Sequence, residues 1–126
     1  MKSTMKLMLM LLVTASMLTF ASCNKWKTVP EKVTVSGQVT YQDGQPAEDV
    51  VVSVDKSTFM SPIYPVTSTI TDENGHYELE IDNPQKDVLY AIDFKITKDG
   101  YEYSYHGYVN EYKAHQEINV VLKKNE

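Results

Sequence analysis

Arginine is missing from this chain of 126 residues. All twelve basic side chains are Lys, set against seventeen acids, and the formal charge is −5 at pH 7. Without a planar guanidinium fork, bidentate clamping of phosphate is not available. With the negative charge, this argues against a nucleic-acid partner. Cysteine is almost absent as well. The single Cys23 excludes an intrachain disulfide and any Cys-based zinc cluster. There is no internal repeat and no low-complexity tract, and beyond the N-terminal stretch no segment carries a 3.6-residue apolar period. The length suits one domain.

The one long apolar run is at the start. Lys2 and Lys6 precede Leu7–Phe20 (LMLMLLVTASMLTF). As a helix this run reaches about 21 Å, short of a bilayer core of about 30 Å. It reads as the h-region of a signal peptide rather than a membrane span. It closes on Phe20-Ala21-Ser22-Cys23, so the chain's single thiol directly follows small residues. This stretch resembles a bacterial lipoprotein signal, with Phe20 where Leu is usual. The resemblance implies cleavage between Ser22 and Cys23, a diacylglycerol thioether on Cys23 and acylation of its new amino group. Several acyl chains make a durable anchor where one of about 14 carbons binds marginally. The expected organisation is a signal peptide over 1–22, a lipidated Cys and tether over 23–32, and a domain over 33–126. Removing 22 residues, which hold Lys2 and Lys6 but no acid, leaves 104 residues with a charge of −7. Trp26 in the tether suits either a membrane interface or packing on the end of the domain.

The rest alternates with period two. Val33, Val35, Gly37, Val39 and Tyr41 share one face of a first strand. Asp43-Gly44-Gln45-Pro46 is a turn. Val50–Asp55 and Val66–Thr71 are β-branched strands, separated by a loop over Lys56–Pro65. Asp72-Glu73-Asn74-Gly75 predicts a type I′ hairpin. Tyr77, Leu79 and Ile81 mark a fourth strand. Tyr90, Ile92, Phe94 and Ile96 mark a fifth. Tyr101, Tyr103 and Tyr105 mark a sixth, and Ile118, Val120 and Leu122 a seventh. Seven short strands with one apolar face predict an all-β, two-sheet β-sandwich.

The order of these pieces resembles the transthyretin-like, or carboxypeptidase regulatory-like, domain. The carriers are Val35-Ser36-Gly37-Gln38-Val39, Asp43-Gly44-Gln45-Pro46-Ala47, Val50-Val51-Val52, Thr71 to Leu79 (TDENGHYEL) and Lys98-Asp99-Gly100-Tyr101, covering about residues 33–122. The resemblance implies a seven-stranded antiparallel Greek-key, prealbumin-like sandwich. It also implies a non-catalytic accessory or adhesive module of secreted and cell-envelope proteins.

Candidate chemistry is sparse. Ser, His and Asp occur, but no strand–nucleophile–helix elbow does. Glu78 and Glu80 lie two apart on a polar strand face. Asp72–Gly75 is too short for a twelve-residue calcium loop, whose later positions are here Tyr77 and Leu79. His76, His106 and His115 show no ligand spacing. No enzyme activity, metal or cofactor is expected. Lys32 and Asn119 occupy first- and last-strand positions suited to an isopeptide crosslink, but alternation turns both outward, where a neutral, buried Lys is not available. Tyr101, Tyr103 and Tyr105 read as core residues. Tyr108 and Tyr112, where the alternation breaks, are the candidate ligand or partner contacts.

The expected function is that of a membrane-anchored envelope lipoprotein that binds a protein or polymer. A glycan-binding lipoprotein of nutrient uptake and a pilus or adhesin subunit are the alternatives. Asn24, Lys25, Trp26, Lys27 and Thr28 follow Cys23 with no acid before Glu31. That composition predicts a Gram-negative outer-membrane anchor with the domain facing the periplasm. Lys25 and Lys27 would meet anionic headgroups, while the acidic domain would be held off the surface.

Overall fold

The structure is a computed structural model and describes residues 28–60 and 62–126. Nine strands follow in order: β1 (Lys32–Thr40), β2 (Val51–Ser57), β3 (Tyr64–Ile70), β4 (His76–Asp82), β5 (Leu89–Lys98), β6 (Tyr101–Val109), β7 (His115–Glu117), β8 (Val120–Val121) and β9 (Lys123–Lys124). There is no helix among the described residues. One sheet runs β4-β1-β7, with β8 also on β1. The other runs β3-β2-β5-β6-β9. The two apolar faces meet in a core of Val33, Val35, Val39, Val52, Val54, Leu79, Ile81, Ile92, Phe94 and their neighbours. The alternation that defines β1, β4 and β5 in the sequence is thus the alternation of burial.

β1 is the middle of the narrower sheet. It pairs antiparallel with β4, but parallel with both C-terminal pieces. The expectation of a wholly antiparallel sandwich is corrected here: first and last strands run the same way. Of the expected seventh strand, Ile118 to Leu122, only β8 is strand, with β7 before it and β9 after it. Thr34 meets His115, Ser36 meets Glu117 and Val39 meets Val120, so β7 and β8 keep one register along β1. Between them, residues 118 and 119 arch over Gly37. A Cβ on Gly37 would lie 2.0 Å from the Ile118 carbonyl oxygen. Three hydrogen bonds tie the arch down. Ile118 N donates to Ser36 O (2.8 Å). The Tyr77 hydroxyl donates to Ile118 O (2.7 Å), and Gln38 N donates to Asn119 Oδ1 (2.9 Å). The Asn119 amide thus supplies the acceptor that a regular ladder would take from a backbone carbonyl. Burial, and then the Glu117 charge, push the Tyr77 hydroxyl well above its ordinary pKa, so it stays a donor.

Turn chemistry explains two further differences. Asp72–Gly75 is not a hairpin, because β3 and β4 belong to different sheets. Gly75 N donates to Asp72 O (2.9 Å) and only Gly75 (φ 78°) has positive φ, which is a type I turn followed by a left-handed glycine. Its Asp72 carboxylate accepts from Asn74 N and His76 N, both at 2.9 Å. The type I′ geometry occurs instead at Asp99 (φ 52°) and Gly100 (φ 83°), between the paired β5 and β6. The buried Thr71 hydroxyl fastens the β3–β4 corner by donating to Ala47 O (2.6 Å) and accepting from Val50 N (2.9 Å). The expected loop over 56–65 is shorter, since β2 reaches Ser57 and β3 starts at Tyr64. Pro65 is accommodated on an edge strand beside a bulge at Val66.

The tyrosine trio does not fill the core. Tyr101 and Tyr105 are 51% and 39% exposed, and Tyr103 is half-buried. All three face inward, but the opposing sheet is only three strands wide against five, so β6 reaches its rim. There Tyr103 packs edge-on against Tyr41, Tyr105 against Phe94, and the Lys124 amine lies over the Tyr101 ring.

Two measurements test these contacts. Gly37→Ala is expected to cost about 1–3 kcal/mol in urea denaturation, because the Ile118 backbone must move; an unchanged midpoint would show that the arch is not close-packed. Bonds from the His76 and then the Asn74 N–H hold the Asp72 carboxyl below its ordinary value of 3.8. A lowered folded pKa stabilises above that ordinary value and loses the contribution as pH falls through the folded one. The Tm difference between wild type and Asp72→Asn should therefore be full at neutral pH and shrink below about pH 4. A difference that did not change with pH would remove the carboxylate from the account.

Candidate binding surface

A two-residue hairpin joins β5 to β6 and ladder pairing sets β2 beside β5, and every second residue of each points away from the core. Across this outer face the register forms three rows. Ile70, Val51, Lys95 and Ser104 make one. Ser68, Ser53, Asp93 and His106 make the next. Pro65, Asp55, Ala91 and Tyr108 make the third. A shallow depression of about 690 Å³ lies over Val51, Ser53, Asp93, Lys95 and His106. A polar middle row is thus flanked by exposed apolar side chains, Val51 and Ile70 on one side and Tyr108 with Leu89 on the other.

Tyr108 is 58% exposed. It sits inside β6, not in a loop where the alternation fails. Val109 beside it points inward, buried opposite Tyr90. Opposite Tyr108 stands Ala91, whose small side chain leaves the ring uncovered. The His106 imidazole stands edge-on to that ring at 5.1 Å, and its Nδ1 lies 2.5 Å from Asp93 Oδ1. The carboxylate thereby fixes the imidazole, and the imidazole buttresses the Tyr108 ring. In the ladder Asp93 lies between Ser53 and His106. The serine therefore neighbours the carboxylate rather than the imidazole, the reverse of the order a Ser–His–Asp relay needs. The sequence singled out Tyr108 without its supports. His106 and Asp93 are thirteen residues apart, and only the pairing of β5 with β6 joins them.

The other sequence-stipulated residues fall elsewhere. Tyr112 is half-buried in the turn after β6, where its N–H donates to Asn110 Oδ1 (2.9 Å). It belongs to the β6–β7 connection and not to the outer face. Ser22 and Cys23 lie outside the described residues, as does Trp26. Lys32 pairs with Glu80 at 3.4 Å on the outside of the narrower sheet, and Asn119 is engaged by Gln38. No group of three His, Cys, Asp or Glu that would hold a metal ion occurs among the described residues, nor does any helix there suffice to cross a membrane.

No family model matches this chain, and no curated protein matches it in sequence. Solved structures do. A 9R-lipoxygenase from Cyanothece PCC8801 aligns over 72% of this chain with a TM-score of 0.51 and 11% identity. The 3-chlorocatechol 1,2-dioxygenase of Rhodococcus opacus 1CP aligns over 75% with a TM-score of 0.50 and 15% identity. The alignments span 16% of the first protein and 60% of the second. At such identities the likeness is one of fold alone.

Proposed function

We propose that this chain is a lipid-anchored envelope module that acts by binding, with the outer face of the five-stranded sheet as its contact surface. The observation that carries the reading is Tyr108, an exposed ring held upright by the His106–Asp93 pair beside a shallow polar depression. Tyr supplies large contact area at small entropic cost, and apolar flanks around a polar strip suit a protein or polymer partner. The finer fold reading, a prealbumin-like Greek key, rests on the motif order in the sequence and is supported by the sheet-to-sheet crossings at β1–β2, β3–β4 and β4–β5. Anchoring rests on the stretch Phe20 to Cys23. Residence at the outer membrane, facing the periplasm, rests on the acid-free residues 24–30.

A second reading, glycan binding, is favoured by the same site. A tyrosine face next to a carboxylate, an imidazole and the Ser53 hydroxyl offers a stacking platform with adjacent hydrogen-bonding groups.

Anchoring is tested by Cys23→Ala, which should leave an uncleaved precursor without lipid, while the wild type carries fatty acid by mass spectrometry. Normal cleavage of the variant together with an unlipidated wild type would end this reading. The contact surface is tested on a glycan array and by co-purification of envelope proteins. Tyr108→Ala should abolish the signal that wild type gives while changing stability by no more than about 0.5 kcal/mol, as expected at an exposed position. Retained binding by that variant would move the site elsewhere.

A further inference from the structure

One end of the sandwich gathers three segments. The first is the tether exit. Glu31 O accepts from Asn83 N (2.7 Å), and Lys32 lies opposite Asp82. Residues 28–31 therefore leave the domain beside the β4–β5 connection. The second is that connection itself, pinned by the Gln85 N–H donating to the Tyr90 hydroxyl (2.8 Å). The third is the β2–β3 loop. The end of β2 stands at the same place, with Ser57 opposite Leu89 and the Lys56 amine donating to Gln85 Oε1 (3.2 Å).

That loop has a composition unlike the rest of the surface. From Ser57 to Pro65 (STFMSPIYP) it carries no charge of either sign, in a chain that is 23% charged. Phe59 is 96% exposed, Met60 84% and Ile63 68%. Isolated exposed apolar residues need no explanation, but three large ones on one uncharged tip do. They cost solubility and add nothing to the core.

We propose that this tip is a lipid-contact site: Phe59, Met60 and Ile63 enter the interface of the membrane to which the chain is tethered. The proposal rests on the anchoring reading for its orientation. The eight residue steps from Cys23 to Glu31 span at most about 28 Å. The domain end that carries the loop is therefore the end brought to the lipid surface. The loop itself is neutral, so its entry takes no charged side chain out of water. Apolar and aromatic side chains placed in the headgroup–acyl boundary gain by their buried area. A lipid anchor and an apolar tip at one end give two attachments, which fix the tilt of the sandwich. The outer face of β2, β5 and β6 then stands upright from the membrane rather than lying on it.

The test uses the full chain, purified from membranes and reconstituted in vesicles of phosphatidylethanolamine and phosphatidylglycerol with brominated acyl chains. Phe59→Trp is introduced on a Trp26→Phe background, so that emission reports the tip alone. Bromine should quench this emission and its maximum should shift to the blue. Lipid on Cys23 is read by mass spectrometry on the same sample, which separates the two readings. A lipidated chain with unquenched, solvent-like emission overturns the loop contact and leaves the anchor standing. Should Cys23 carry no lipid, the loop is read by co-sedimentation of the same chain with vesicles. Phe59→Ser with Met60→Ser should then lower partition about tenfold or more, and no change would overturn the contact. Emission shifted to the blue but indifferent to bromine, with a dimer by ultracentrifugation, would give the tip to a second copy and overturn the lipid assignment.

Discussion

The arch of residues 118 and 119 over Gly37 holds the two ends of the domain together. Among the described residues β1 is the only strand of the narrower sheet with neighbours on both sides, and one of those sides is made by the C-terminal segment. Across the arch β7 and β8 keep one register along β1, and beyond it Val120 and Leu122 enter the core. Four residues from three separate stretches of the sequence contribute to the arch. Gly37 provides the space, Tyr77 and Asn119 satisfy the polar groups that the interruption exposes, and Ser36 receives the Ile118 N–H. With no disulfide available, this closure is achieved by packing and hydrogen bonds alone. A polar group left unpaired there forfeits a hydrogen bond, and the Ile118 N–H, the Ile118 carbonyl and the Gln38 N–H each have a partner.

Alternation made the strands readable, because a half-buried strand has to place apolar residues at every second position. Val33 to Val39, Tyr77 to Ile81 and Tyr90 to Phe94 are buried as their pattern requires. Pairing was much less readable. Asp72–Gly75 has the residues of a hairpin turn, yet whether two adjoining strands pair is decided by their other neighbours. β3 is held on β2 and β4 on β1, so the same chemistry makes a corner. The parallel return of the C-terminus onto β1 has no local signature at all. The tyrosines of β6 depart from the core expectation for a related reason. Their inward direction follows from alternation, but the width of the sheet that faces them does not.

The candidate surface divides in the same way. An exposed Tyr108 could be inferred from its own neighbourhood. The His106–Asp93 pair that orients it depends on the register of β5 and β6, and the β2 serine beside it on a second register. A flat sheet face can in this way collect chemistry from three strands, with no residue conspicuous in the sequence. The apolar β2–β3 tip is the opposite case, since its composition is plain in the sequence and only its exposure and its end of the sandwich required the fold.

The position of β1 also has a mechanical meaning. Ladder hydrogen bonds run across the strands. A load entering at Thr28 pulls along β1, and the bonds to β4 on one flank and to β7 and β8 on the other resist it together, in shear. Peeling from an edge would break them one at a time. Because the strand that receives the load is interior to its sheet, a pull applied there is borne by both ladders at once, and the clasp of the C-terminal segment over Gly37 adds its own bonds to them.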